Sequence, residues 1–201
     1  MDTDISHFQS IPWVSALLRD PEFTNRAIPS RTVKETTEDA FYARTLNSPE
    51  TIKACLMQYR IPESSSSASS GSNTTSSTPN VTELRTFFTL GSDMNGYPGT
   101  LHGGMVATLL DECTGLLLMA RGDVADNTTR SDNNLHSVPV TAYLNTKFRR
   151  PVPTPGTIVV YTKLVEVSES KKWKIQADVL DHKGRVLATG ESLFVRTKAK
   201  I

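Results

Sequence analysis

A chain of 201 residues is long enough to bury a sizeable core and reads most simply as one domain with additions. Apolar residues at 37% and charged residues at 21% describe a soluble globular chain, and a formal charge of +1 excludes a general attraction to nucleic acid or acidic membranes. Cys55 and Cys113, far apart in apolar and helical-looking contexts, make neither a disulfide framework nor a zinc pattern and read as reduced and buried.

The start, Met1-Asp2-Thr3-Asp4, carries neither the cationic and apolar runs of a secretory signal nor the arginines of a transit peptide. The longest apolar stretch, Gly115 to Ala120, is far too short to span a bilayer. A cytoplasmic or otherwise intracellular location without a membrane span is the expectation, and the N-x-S/T matches at Asn73, Asn80 and Asn127 are then chance.

Residues 10 to 60 read as three short helices. The first, Ile11 to Leu18, has Pro12 near its start and a stripe of Trp13, Ala16 and Leu17. The second follows a capping-box variant, Thr36 and Asp39, before Ala40-Phe41. The third has Ser48 as cap and Pro49 in its first turn, with Ile52, Cys55, Leu56 and Tyr59 at helical spacing. Residues 1–62 are therefore expected as an N-terminal helical extension. From Glu63 to Asn80 the chain becomes a Ser/Thr/Gly/Pro stretch that cannot offset its conformational entropy by burial, so 63–80 reads as a flexible linker.

After the linker the hydrophobic period changes. Val81 to Leu90 is a strand, Gly91 to Gly99 a loop, and the segment beginning His102-Gly103-Gly104 a helix running to about Ala120. Gly122 to Ser137 is polar and reads as an exposed loop. Four strand-like runs follow: Val138 to Phe148, Thr157 to Val167, Trp173 to Leu180 and Val186 to Val195. Links as short as Asp181 to Gly184 leave no room for crossover helices, so the strands are antiparallel. The fold class is α+β, an antiparallel sheet wrapped around one long, nearly all-apolar helix.

On that helix Gly104, Ala107, Thr108, Asp111 and Gly115 share one narrow stripe of small residues with a carboxylate among them. The glycine pair at its start leaves backbone N–H donors open to an incoming oxygen, the arrangement of an oxyanion hole. Asp111 lies eight residues beyond Gly103, about 12 Å along the axis. It cannot serve its own helix start, whereas an antiparallel partner helix across a two-fold axis brings each Asp111 near the partner's glycines. Glu112 points about 100° away from Asp111 and reads as a structural or gating group. Lys147, Arg149 and Arg150 form the one dense basic cluster, suited to phosphates, on a strand whose Thr141, Tyr143, Asn145, Lys147 and Arg149 share a face by alternation.

The segments "GTLHGGMVATLLDE" and "VPVTAYLNTKFRRPVPTPG" resemble the hotdog-fold acyl-CoA thioesterases of the 4-hydroxybenzoyl-CoA thioesterase superfamily, in the branch with an HGG motif and an aspartate on the central helix. The likeness covers about residues 81 to 196, and the preface resembles fungal-type members. It implies a hotdog fold over residues 81–201, with Asp111 as general base or nucleophile. Gly103 N–H would polarise the thioester carbonyl, His102 shape the pocket and Thr141 hold the attacking water. Gly104 and Asn95 would contact substrate, although the asparagine that many relatives carry six residues before the histidine is here replaced by Gly96.

The expectation is a homodimeric acyl-CoA thioesterase, or a dimer of such dimers, with coenzyme A as part of the substrate and no cofactor or metal. The rival readings are a non-catalytic acyl-CoA or lipid-binding hotdog protein and an enoyl-CoA hydratase. The acyl group, and whether the carrier is coenzyme A or a protein, are not written in the residues.

Overall fold

The computed structural model describes residues 2–60, 81–122, 139–168 and 172–196. The Ser-rich segment 63–80 lies outside them, as does all of the expected Gly122 to Ser137 loop except Gly122.

Helices α1 (Asp2–Gln9) and α2 (Pro12–Leu18) open the chain, followed by strand β1 (Phe23–Arg26), a 3-10 turn (Pro29–Arg31), a π-type turn (Phe41–Thr45) and β2 (Ile52–Arg60). Beyond residue 80 come β3 (Glu83–Leu90), a small hairpin of β4 (Asn95–Tyr97) and β5 (Thr100–Leu101), and the long α3 (Gly103–Ala120). Strands β6 (Pro139–Phe148), β7 (Gly156–Ser168), β8 (Lys172–Leu180) and β9 (Val186–Arg196) complete the chain. The main sheet has seven strands in the order β1-β2-β3-β7-β8-β9-β6, and every neighbouring pair is antiparallel. The expected α+β hotdog architecture is what the chain adopts.

α3 lies on one face of this sheet. Leu109, Leu110, Cys113, Leu116 and Leu117 are buried there with Met57, Phe88, Val160, Ile175 and Ala188. Each such side chain contributes roughly 1.5–3 kcal/mol relative to an exposed one. A Cβ placed on Gly190 would lie 3.2 Å from the Leu110 side chain, so a glycine in β9 is what lets the helix come this close. By length and composition Gly103–Ala120 is apolar enough to cross a membrane. Here the same apolarity is spent on the sheet, and the helix is the core element of the fold.

The expected third helix is instead strand β2, which contributes to the same sheet as residues 81–196. Ser48 does act as a cap would, its Oγ accepting from the Glu50 and Thr51 N–H groups. The chain nevertheless leaves that turn extended. The misleading period has a physical cause, because β2 is buried on both faces. Cys55 and Met57 point to α3, while Ala54 and Leu56 point to α1 and α2 together with Phe8, Val14, Phe87 and Val159. A strand covered twice shows a continuous apolar run rather than alternation. Cys55 thus sits in a strand and Cys113 in a helix, both buried thiols without a disulfide. The capping box also fails, since Thr36 Oγ1 accepts from Glu38 but Asp39 takes a φ of 58° and pairs with Lys34.

Candidate active site at the start of the central helix

α3 begins where β5 ends, and its first turn is capped by its own sequence. His102 Nδ1 accepts the Gly104 N–H at 3.0 Å, while the carbonyl of His102 takes the N–H groups of Met105 and Val106. The Gly103 N–H is left without a partner among the described residues, at the positive end of the helix dipole. Its neighbour is Phe148, the last residue of β6, whose ring carbons stand 3.5 Å from where a Gly103 Cβ would be. Phe148 is 61% exposed. An open aromatic wall therefore flanks an open N–H donor, a pairing that β-alternation did not single out.

Gly96 stands where the resemblance expects an asparagine. A Cβ at that position would be 3.1 Å from both the Cα and the ring of His102, so a larger residue there needs the capping histidine to give by a few tenths of an ångström. Asn95, expected to contact substrate, has its amide oxygen engaged by the buried Thr154 hydroxyl.

Along α3 the stripe of Gly104, Ala107, Thr108, Asp111 and Gly115 is the part that the sheet leaves uncovered, with Gly104 and Asp111 exposed. Asp111 is held from two sides. Thr141 Oγ1 of β6 donates to its Oδ1 at 3.0 Å, and Thr114 Oγ1 donates to its backbone carbonyl at 2.9 Å. His102, Gly103, Gly104, Asp111 and Thr141 thus border one open strip, running from the helix start to its third turn and closed on one side by β6.

The remaining expected site residues lie elsewhere. A register shift between Thr141 and Tyr143 breaks the simple alternation of β6. Thr141 pairs with Phe194 and faces α3, whereas Tyr143 pairs with Leu193 and turns away, its hydroxyl donating to Glu191. Downstream, Asn145 and Lys147 pair with Glu191 and Thr189. Those residues flank the helix-facing Gly190 and so look out of the opposite face. Asn145, Lys147 and Arg149 line a polar cavity of about 280 Å³ there with Gln176, Thr189 and Glu191. Lys174 holds the Glu191 carboxyl below its usual range. Arg150 donates to the Val186 carbonyl at 2.7 Å. Within one chain, then, Lys147 and Arg149 do not share the Asp111 strip, and Thr141 does not share a face with them.

The flank of α3 next to Asp111 is covered by residues 28–47, a segment in which the sequence offered a short helix after Thr36 and Asp39 but no sign of a strap over α3. Arg31 pins it, donating to the carbonyls of Tyr42, Leu46 and Ile52. Tyr42 OH donates to the Thr108 carbonyl at 3.0 Å, and Ser30 Oγ donates to Glu112 Oε1. Burial pushes the Glu112 carboxyl up to about 7, with Ser30 opposing the shift and Asp39 and Asp111 adding to it. Burial likewise raises the Tyr42 phenol well above its ordinary value.

Residues 98–195 match the model of the Thioesterase superfamily. Verlamelin biosynthesis protein B of a Lecanicillium species is 28% identical over 169 residues, covering 77% of this chain and 71% of that protein. Acyl-coenzyme A thioesterase THEM4 of Mus musculus is 28% identical over 120 residues, covering 58% of this chain and 45% of that protein. This chain therefore spans less than half the length of the mouse relative. A solved thioesterase superfamily protein is 28% identical, with 58% of this chain and 56% of that one covered at a TM-score of 0.47. Over the matched segment, which holds the capped helix start, Asp111 and Thr141 together, this chain is similar to the thioesterase superfamily, and its sheet and central helix have the hotdog arrangement.

Proposed function

We propose that the protein is an acyl-CoA thioesterase, hydrolysing the thioester to a carboxylic acid and free coenzyme A. The observation that carries this reading is the Thr141–Asp111 bond on the open strip of a helix whose first free donor is Gly103 N–H. The donor is suited to the oxygen of a polarised carbonyl, and Phe148 to an apolar group beside it. Asp111 acts in one of two ways. As a base it takes a proton from water, the hydroxyl oxygen bonds to the acyl carbon, the C–S bond breaks and the proton goes to the leaving thiolate. As a nucleophile its own oxygen forms the C–O bond while the C–S bond breaks and the coenzyme A thiolate leaves; water then cleaves the resulting anhydride, regenerating the Asp111 carboxylate and the product acid, and a proton from that water goes to the thiolate. Thr141 fixes the carboxylate for either route.

The site is completed by a second copy. Gly103 and Asp111 of one chain are about 12 Å apart along the helix, too far for one carbonyl carbon to meet both. β6 is one of the two edge strands of the sheet among the described residues, with Val140 and Tyr143 exposed along it. Edge pairing of two β6 strands would satisfy that edge and carry each Asp111 toward the other chain's helix start.

Thiol release from short, medium, long and aromatic acyl-CoA substrates, with wild type beside Asp111→Asn, tests the reading. Turnover in the wild type that is lost in the variant supports it. Tight acyl-CoA binding with no thiol from any substrate overturns it in favour of a binding protein.

A further inference from the structure

Residues 28–47 precede the segment matched by the superfamily and lie across α3 beside Asp111. The strap has two polar fastenings to the helix, Tyr42 OH on the Thr108 carbonyl and Ser30 Oγ on Glu112, and these two points flank the turn that carries Asp111. Arg31 ties the strap to the start of β2, so its position relative to the sheet is fixed independently of α3. Ile28, Tyr42 and Leu46 meanwhile pack into the same core as Leu109 and Cys113.

Resting on the thioesterase reading, we propose that Glu112 and Ser30 are positioning residues for Asp111. The charge state of Glu112 sets how firmly the strap holds that turn of α3, and so couples strap closure to turnover in a pH-dependent way. The groups facing Glu112 favour such a switch. Asp39, itself paired with Lys34 at 2.6 Å, approaches from the loop ahead of the π-type turn, and Asp111 is its neighbour on the helix. Tyr42 and the Cys55 and Cys113 thiols are the other titratable groups that feel its charge. The charged neighbours acting on it are acids, and burial adds to their effect, which brings its titration into the neutral range. Ionised, Glu112 is a strong acceptor for Ser30 but a third negative charge beside two others. Protonated, it loses that repulsion. Protonation therefore changes the load on the Ser30–Glu112 bond between the 3-10 turn and the helix.

The test uses the whole chain as Ser30→Ala, Ser30→Thr and Glu112→Gln beside wild type, assayed by thiol release from pH 5.5 to 8.5. The expected result is a 3- to 10-fold fall in kcat for Ser30→Ala with KM little changed, recovery in Ser30→Thr, and loss in Glu112→Gln of an inflection near pH 7 seen in wild type. These magnitudes are about what one hydrogen bond of ordinary net strength sets. Wild-type kcat, KM and pH profile in Ser30→Ala and Glu112→Gln would overturn the proposal and leave the thioesterase reading intact. A wild type that releases no thiol defeats that reading instead, and amide exchange then decides the fastening. Protection of residues 28–47 that changes between pH 6 and 8 in wild type but not in Glu112→Gln upholds it, and equal profiles overturn it.

Discussion

Thr141 donates a 3.0 Å hydrogen bond to Asp111 across the gap between β6 and α3, although the two residues stand 30 positions apart. The bond depends on the irregularity after Thr141, which turns this one hydroxyl toward the helix while Tyr143 faces the other way. Removing the hydroxyl but keeping the shape, as in Thr141→Val, should lower kcat by about 10-fold, in line with the loss of one hydrogen bond to a charged group. Thr141→Ser should recover most of it. Steady-state thiol release on all three proteins is the measurement, with unchanged Tm as the check that the strand is intact.

Asp111→Asn keeps the side-chain volume and the Thr141 contact but removes the basic oxygen. The expected loss is about 10²- to 10⁴-fold in kcat, the usual range for a positioned acid–base group. Because Asp111 is exposed and outside the core, thermal unfolding should be nearly unaffected.

Single turnover in oxygen-18 water separates the two chemical routes. Label found in the Asp111 carboxylate, with unlabelled product acid on the first turnover, establishes attack by the side chain itself, and a trapped anhydride in rapid quench tests the same route when label enters the product acid.

Glu112 titrates near 7 in the folded chain against an ordinary value of 4.5. A raised carboxyl contributes stability that is complete below about 4.5 and lost as pH rises through about 7. Glu112→Gln should therefore be the more stable protein at pH 8, by about 1 to 3 kcal/mol. The difference from wild type should shrink as pH falls toward 4.5. Urea titrations of both proteins at pH 5 and pH 8 measure it.

Gly190→Ala places a methyl 3.2 Å from the Leu110 side chain, so Leu110 must give by a few tenths of an ångström in a closely packed seam between β9 and α3. The expected cost is about 1 to 3 kcal/mol, a fall in Tm of roughly 2 to 10 °C for a domain of this size. Adding Leu110→Ala should recover little, because it exchanges the clash for a cavity. Differential scanning calorimetry on the single and double variants tests both statements.

Much of this protein is written locally. The His102-Gly103-Gly104 start, the length of α3 and the four strands from Pro139 to Arg196 follow from capping, apolar period and turn chemistry, which act between residues a few positions apart. The spacing from Gly103 to Asp111 likewise fixes that one chain cannot bring both to one carbonyl. What the tertiary structure alone decided is which side of each element meets which neighbour. β2 mimicked a helix because α3 and the α1–α2 pair bury it from opposite faces, and burial on both sides erases the alternation that marks a strand. One register shift in β6 separated Thr141 from Lys147 and Arg149, since a single extra residue reverses the facing of everything beyond it. The strap over Glu112 rests on Ser30, Arg31 and Tyr42 finding partners far along the chain, and contacts of that range leave no periodic trace in the residues that make them.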